Sequence, residues 1–242
     1  MKKLILILSL LLPAFAVASE GVHLDKAPIN GANQASLQRG AKTFVNYCLN
    51  CHSASYMRFN RLHDIGLTDE QIKANLLFNA EKVGETMKVA MDKNEAKKWF
   101  GATPPDLTVI ARSRGADWLY TYLRGFYRDE TRPTGWNNVA FDKVGMPHVL
   151  WQLQGEQHLK VTEATDAHGN KVEAHQLVLT KPGKLSSAEY DMMVADLVNY
   201  LVFMGEPAKA QRLQLGLIVL LFLGVFFLVA RALKKEFWKD VH

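Results

Sequence analysis

Cys48, Cys51 and His52 are the residues of this chain whose types and spacing most clearly indicate chemistry. They follow the pattern C-x-x-C-H, which is the attachment motif of a c-type haem. On a helical turn, residues three and four positions apart share one face, so both sulfurs can bond to one porphyrin edge while the imidazole reaches the iron. We therefore predict one covalently bound haem c, with His52 as a ligand of its iron.

Two other kinds of site use the same residue types. A structural zinc site needs further cysteine or histidine ligands at matching spacing, and the chain contains 2 cysteines in total. A redox dithiol of the thioredoxin type follows a strand in a βαβ pattern, and the sequence around Cys48 does not show that pattern. Because the haem would take both cysteines, we expect no structural disulfide.

The second axial position would hold a methionine, a histidine, water or nothing. A methionine sulfur raises the reduction potential, which suits electron transfer. Met146 is favoured because Gly145-Met146-Pro147 lies in a loop between an aromatic helix and the last helix of the domain, where the chain would return over the far face of the haem. The other candidates are Met87, Met91, His23, His63 and His148.

The two ends of the chain predict export and membrane anchoring. Residues 1–18 combine two lysines, an apolar run and the small-residue site Ala16-Val17-Ala18, which is the pattern of a secretory signal peptide. Residues 209–232 are predicted to form a transmembrane helix, because Leu213–Ala230 carries no charge and is long enough to span a bilayer.

Basic residues set the predicted orientation, since more of them follow the apolar segment than precede it. By the positive-inside rule, the tail, residues 233–242, lies in the cytoplasm, and the haem domain, residues 19–208, lies in the periplasm. The protein would then reside in the bacterial inner membrane, in contact with lipid. The net charge of +5 comes mostly from the two ends, so the domain is nearly neutral and shows no basic face for nucleic acid.

The exported domain is predicted to be mainly α-helical. Apolar residues in Leu37–Cys48 recur on one helical face. Gly40 within that face indicates either a close contact with another helix or a tolerated defect in this one. Ser186 and Glu189 form a capping box before a second periodic helix that ends near Gly205. An N-terminal helix with the haem motif and a C-terminal helix of this kind resemble the crossed helices of class I cytochromes c.

The segment between these helices is long for a fold with a single haem. It predicts helices over Thr68–Phe78, Asn94–Phe100 and Ala116–Arg124. Two β-leaning runs, residues 160–164 and 174–179, surround a turn-rich loop and predict a hairpin. The predicted fold is therefore mainly α, a class I cytochrome c-like haem domain with long insertions that include a β-hairpin, followed by one C-terminal transmembrane helix.

Further motifs occur in a fixed order along the whole chain. They are Cys48–Ser53, Tyr56–Leu62, Pro104–Leu107, Ile110–Arg114, Arg132–Gly135, Gly145–Pro147 and Leu201–Pro207. In this order, with the sequence PPDL between the haem motif and the methionine, they resemble the cytochrome c1 family, the haem subunits of the bacterial quinol–cytochrome c oxidoreductase, or cytochrome bc1 complex.

The resemblance implies roles for individual residues. It places the axial methionine at Met146, and it places Arg112 or Arg114 near a haem propionate, where a guanidinium would pair with the carboxylate. Pro105 and Asp106 would help to shape the haem pocket. It also implies three partners, namely cytochrome b, a Rieske iron–sulfur protein as electron donor and a cytochrome c as electron acceptor.

The sequence thus predicts a membrane-anchored monohaem cytochrome that passes single electrons from a Rieske protein to a cytochrome c. The subunit would perform no bond chemistry of its own, and the oxidoreductase activity would belong to the complex. An alternative with the same chemistry is a tethered cytochrome c that donates to a terminal oxidase. A third hypothesis, an enzyme or gas sensor with an open haem face, requires that Met146 does not bind the iron.

Overall fold

The computed structural model describes residues 23–165 and 171–240, so the predicted signal peptide lies outside the described residues. The α-helices are α1 Gln34–Thr43, α2 Asp69–Asn75, α3 Lys93–Phe100, α4 Ile110–Arg114, α5 Ala116–Arg124, α6 Trp151–Gln154, α7 Ser187–Gly205 and α8 Lys209–Phe237. A π-helical turn, Phe44–Cys48, continues α1, and a 3₁₀ helix spans Phe59–Ile65.

The strands form three antiparallel pairs among the described residues, namely β1 with β2, β3 with β4 and β5 with β6. Their bounds are β1 Ala54–Arg58, β2 Thr86–Met87, β3 Phe126–Arg128, β4 Trp136–Asn138, β5 Gly155–Thr165 and β6 Lys171–Pro182. The mainly helical architecture with small hairpins and one long apolar C-terminal helix confirms the predicted fold class.

The contact between α1 and α7 organises the core. Gly40 lies where the two helices approach each other, because an added Cβ would stand 2.1 Å from the carbonyl oxygen of Asp196 and 2.7 Å from Cβ of Tyr200. One turn later, the ring of Phe44 lies 5.6 Å from the ring of Tyr200, centroid to centroid. The predicted close contact at Gly40 is therefore confirmed, and it places the end of α1, with the haem motif, against α7.

Polar contacts hold the same pair of helices in register. Nδ2 of the buried Asn199 on α7 donates to Oγ of Ser36 at 2.9 Å and to the carbonyl oxygen of Asn30 at 2.8 Å. At the surface, the guanidinium of Arg39 pairs with the carboxylate of Asp196 at 2.6 Å. Buried polar groups are costly when they lack partners, so the Asn199 contacts disfavour a slip of one helix along the other.

Both predicted capping boxes are present. Thr68 and Gln71 exchange side-chain and backbone hydrogen bonds at the start of α2, and Ser186 and Glu189 do so at the start of α7. Each box satisfies backbone N–H groups that a helix leaves without intrahelical partners. The starts of these two helices are therefore fixed by local sequence.

Helix α2 is shorter than predicted, since it ends at Asn75 and not at Phe78. The N–H groups of Leu76 and Leu77 both donate to the carbonyl oxygen of Ile72, at 2.9 Å and 3.0 Å, and this arrangement ends the regular helical pattern. Leu76 and Ile72 are both buried. Packing of these side chains in the core therefore overrides the helical periodicity of the segment.

The predicted hairpin is present and longer than predicted, since its strands pair over Gly155–Thr165 and Lys171–Pro182. At its base, the carboxylate of Glu156 accepts from Lys181 at 3.1 Å and from Arg128 of β3 at 3.0 Å. These charged residues show no alternation of apolar and polar side chains, so the sequence pattern did not reveal the extension. The two shorter strand pairs were not predicted, because strands of two to five residues are too short to show a periodic pattern.

Helix α8 carries a long run of exposed apolar side chains. Its stretch Arg212–Phe237 is long and apolar enough to cross a membrane, and none of its most apolar part is buried. The helix could therefore span a bilayer, and its helical structure continues to Phe237.

Replacing Gly40→Ala should lower the free energy of unfolding by at least about 2 kcal/mol, because the new methyl group overlaps backbone and side chain of α7. Gly31→Ala is the matched control, since an added Cβ there meets nothing within 4 Å. Denaturant unfolding of the full-length protein in detergent measures both variants. Equal stability of the two would contradict the close approach of α1 and α7.

Candidate functional site

A cavity of about 340 Å³ lies beside the C-x-x-C-H turn. Side chains of α4, α5 and α7 form much of its wall, together with the segments on either side of Pro105 and Met146. Most of these side chains are apolar. The predicted site residues in its lining are Cys48, Cys51, His52, Pro105, Arg114 and Met146.

The haem motif adopts the turn that its spacing predicts. The N–H of His52 donates to the carbonyl oxygen of Cys48 at 2.9 Å, and the N–H of Cys51 donates to the same oxygen at 3.1 Å. The π-helical turn that ends at Cys48 joins this motif directly to α1. The contact between α1 and α7 therefore also fixes where the two thiols stand.

Both thiols hold their protons at neutral pH. Burial raises the pKa of Cys48 to about 12, with a smaller contribution from the neighbouring Cys51, and burial also raises the pKa of Cys51. A reactive dithiol or a thiolate metal ligand needs the opposite shift. In the described parts of the chain, no group of three or more His, Cys, Asp or Glu side chains could hold a metal ion.

His52 is oriented by a backbone carbonyl. Its Nδ1 lies 2.8 Å from the carbonyl oxygen of Pro105, and a carbonyl only accepts, so Nδ1 carries the proton. The lone pair of Nε2 is then available to a metal. Burial lowers the pKa of His52, while Pro105 and the charge of Asp106 act in the opposite direction. The residue is therefore a neutral imidazole whose tautomer suits metal ligation.

Asp106 fixes the loop that carries this carbonyl. Its carboxylate accepts from the backbone N–H of Ser55 at 2.8 Å, from the N–H of Thr108 at 2.8 Å and from the Thr108 hydroxyl at 2.5 Å. Burial raises the pKa of the Asp106 carboxyl, but these hydrogen bonds together outweigh it and hold the pKa below its usual range. Because Ser55 closely follows His52, Asp106 ties the loop to the motif.

Met146 is the methionine that reaches the cavity, alone among the methionines of residues 23–165 and 171–240. Its sulfur accepts a hydrogen bond from the hydroxyl of Tyr122, with 3.4 Å between Oη and Sδ. Met87 lies in the core, where its sulfur contacts the Tyr200 hydroxyl. Met91 lines a separate cavity, together with Leu49 and Asn50 of the motif.

The alternative histidines lie elsewhere. His148 is buried between aromatic rings, stacked on Phe126 and edge-on to Trp136. His63 pairs with Asp69 at the surface. His23 lines a different cavity. None of the three is in the lining of the cavity beside the motif.

The two candidate arginines take different positions. The guanidinium of Arg114 stands at the cavity, 5.1 Å from the ring centroid of Trp118. Arg112 is not in the cavity lining, and its guanidinium lies 4.0 Å from the carboxylate of Glu206. Glu206 also pairs with Arg212 on α8 at 2.7 Å. Arg112 therefore faces the link to the membrane helix, and Arg114 faces the cavity.

Sequence reasoning missed the aromatic side chains of α5 as cavity residues. Trp118 and Tyr122 both line the cavity, and their rings stack at 4.8 Å with an interplanar angle of 12°. Their spacing of four residues was visible in the sequence and places them on one helical face. It indicated an aromatic inner face but did not show which side chain that face would meet.

Comparison with known proteins decides the family. The model of the Cytochrome C1 family matches residues 25–241. The chain belongs to the cytochrome c1 family. This membership confirms the resemblance seen in the sequence, and it implies a haem cofactor and a role in respiratory electron transport.

Individual relatives match over most of this chain. Cytochrome c1 of Allochromatium vinosum is 50% identical, and the match covers 100% of both chains. The ammonia monooxygenase gamma subunit of Nitrosomonas europaea is 54% identical over 98% of this chain and 97% of that protein. Cytochrome b/c1 of Bradyrhizobium diazoefficiens is 25% identical, over 89% of this chain and 34% of that longer protein.

Replacing Asp106→Ala should lower the free energy of unfolding by about 1–2 kcal/mol, because the Ser55 and Thr108 donors lose their acceptor. The control is Asp64→Ala, which removes a surface pair with Arg61 and should cost less than about 1 kcal/mol. Denaturant unfolding of both variants measures the difference. A smaller loss for Asp106→Ala than for the control would contradict its role in fixing the loop.

Proposed function

We propose that the cavity holds one haem c, bonded through Cys48 and Cys51, with His52 and Met146 as the axial ligands. The observation that carries this proposal is the convergence of the C-x-x-C-H turn and Met146 on one apolar cavity. A haem bound there would supply one-electron redox chemistry at its iron.

The residues around the cavity fit such a group. Burial keeps His52 a neutral imidazole, and the carbonyl oxygen of Pro105 holds its proton on Nδ1. Nε2 can therefore donate an electron pair without first losing a proton. Met146 offers a thioether, which favours the reduced state of iron. Arg114 lines the cavity, and its guanidinium would pair with a haem propionate. The mostly apolar lining of the cavity would further disfavour the more highly charged, oxidised state of the iron.

We infer that the chain passes single electrons from a Rieske iron–sulfur protein to a cytochrome c, within a quinol–cytochrome c oxidoreductase. Family membership and the full-length match to cytochrome c1 of Allochromatium vinosum support this inference. The name of the Bradyrhizobium diazoefficiens relative, cytochrome b/c1, supports cytochrome b as a partner.

Helix α8 would anchor the chain in the inner membrane. The basic residues after its apolar stretch support a cytoplasmic tail, residues 233–242, and a periplasmic haem domain, residues 19–208. A signal peptide over residues 1–18 would give the same orientation. The haem would then be held at the periplasmic surface, within reach of a membrane-bound donor.

The Nitrosomonas europaea relative carries a different name, ammonia monooxygenase gamma subunit. It suggests a second assembly, in which the same haem domain would serve a monooxygenase as its one-electron carrier. The two assemblies require the same site and differ in the proteins around it, so the partners of the native protein decide between them.

The deciding experiment is purification of the tagged full-length protein from its own membranes in mild detergent, followed by redox difference spectra and identification of its subunits. We expect b-type haem and an iron–sulfur subunit to co-elute with the c-type signal. The proposed complex would be contradicted if the tagged protein elutes alone, with a terminal oxidase or with monooxygenase subunits. The haem site could still be as proposed in each of these cases.

Replacing Met146→Ala should open the site, so that the ferrous variant binds carbon monoxide and its reduction potential falls, because the thioether ligand is lost. The wild type should not bind carbon monoxide. Met192→Ala is the matched control, since Met192 is exposed on α7. Carbon monoxide difference spectra and a redox titration check all three proteins. Binding by the wild type would favour the open-face enzyme or sensor instead.

A further inference from the structure

The Tyr122 hydroxyl makes a hydrogen bond that neither the fold nor the family assignment explains. Its Oη donates to Sδ of Met146 at 3.4 Å, within the range for a bond to sulfur. The two residues belong to different segments, since Tyr122 lies on α5 and Met146 on the loop between β4 and α6. The contact therefore depends on tertiary packing.

The ring of Tyr122 is held from several sides. It stacks on Trp118 at 4.8 Å between centroids and meets Phe126 edge-on at 5.1 Å. The backbone carbonyl of Tyr122 accepts from Nδ2 of the buried Asn138 at 2.7 Å. On the next residue, the carbonyl oxygen of Leu123 accepts from the hydroxyl of Tyr190 at 2.8 Å. The position of the hydroxyl is therefore set before any ligand binds.

The chemistry of the two groups decides which of them donates. The phenol hydroxyl of Tyr122 carries a proton that it can donate. A thioether sulfur has no proton to donate and accepts only weakly. The direction of the bond is therefore fixed, from Tyr122 to Met146.

We propose that Tyr122 is a positioning residue for Met146, which orients the sulfur and raises the reduction potential of the site. This inference rests on the proposed function, in which Met146 binds the iron. A donated hydrogen bond withdraws electron density from the sulfur and places the positive end of the O–H dipole near the iron. Both effects favour the less positive, ferrous state, in the way that hydrogen bonds to ligands tune metal sites.

The same hydrogen bond should weaken the bond between Met146 and ferric iron. An incoming nitrogen ligand would then displace the sulfur more easily when Tyr122 is present than when it is absent. Loss of the hydroxyl should therefore have two effects. The reduction potential should fall, and Met146 should be harder to displace from ferric iron. A residue that merely stabilised the fold would not produce this pair of effects.

The chain contains a matched control. The hydroxyl of Tyr200 donates to Sδ of Met87 at 3.7 Å, and Tyr200 is also fully buried. Neither of these residues lines the cavity. Tyr200→Phe thus removes a buried tyrosine–methionine hydrogen bond without touching the proposed ligand.

The test compares the full-length wild type, Tyr122→Phe and Tyr200→Phe after purification in detergent. At a fixed ambient potential, the ratio of ferric to ferrous protein should rise about three- to tenfold in Tyr122→Phe, as expected for the loss of about one hydrogen bond; tenfold corresponds to 59 mV for a one-electron couple. The affinity of the ferric protein for added imidazole should fall severalfold. Tyr200→Phe should change neither quantity.

The near-infrared charge-transfer band from methionine sulfur to ferric iron separates the two ways in which this inference can fail. If the band is present in all three proteins and Tyr122→Phe leaves the ratio and the imidazole affinity unchanged, the role of Tyr122 is overturned and the proposed ligand stands. If the wild type lacks the band, the ligand assignment of Met146 fails and the role of Tyr122 fails with it.

Discussion

The hydrogen bond from His52 Nδ1 to the carbonyl oxygen of Pro105 is the interaction on which the site depends. It joins two segments that lie 53 residues apart in sequence, and it fixes which nitrogen of the imidazole faces the cavity. The partner is a backbone group, so its position depends on the course of the loop. Asp106 secures that course by accepting three hydrogen bonds from the segment after His52 and from the start of the next turn.

Met146 is held by a side chain of α5, whereas His52 is held by a backbone group. Helix α5 presents stacked aromatic rings, and the last of them carries a hydroxyl that meets the sulfur of Met146. The contact between α1 and α7 at Gly40 brings the motif to the core. One ligand candidate is thus held by a backbone hydrogen bond and the other by a buried side chain. Both side chains are held by contacts within the polypeptide itself. An electron carrier needs such preorganisation, because its ligands must stay in place during oxidation and reduction.

Local features of the sequence predicted much of this architecture. The C-x-x-C-H turn, the capping boxes of α2 and α7, the close contact at Gly40 and the apolar length of α8 all follow from short-range spacing or composition. The motif residues and Met146 could also be predicted as site residues from the sequence. Spacing alone, however, left several other methionines and histidines as candidates for the second axial ligand.

The remaining features depend on tertiary packing, which spacing does not encode. The acceptor of His52 is a carbonyl, and every residue has one, so the sequence holds no sign of Pro105 in that role. Arg112 and Arg114 are equivalent in the motif, and only the path of α4 turns one toward Glu206 and the other toward the cavity. The end of α2 follows from the burial of Ile72 and Leu76, which helical periodicity does not reveal. The short strand pairs have too few residues to show a pattern.

The most direct test is to locate the iron itself. Crystals of the full-length protein in detergent, measured on both sides of the iron absorption edge, would give an anomalous peak at each iron atom. The proposed site predicts one peak in the cavity, within bonding distance of Nε2 of His52 on one side and Sδ of Met146 on the other. The proposed ligands would be contradicted if the iron lies beside His52 but has a residue other than Met146, or no residue, on its other side.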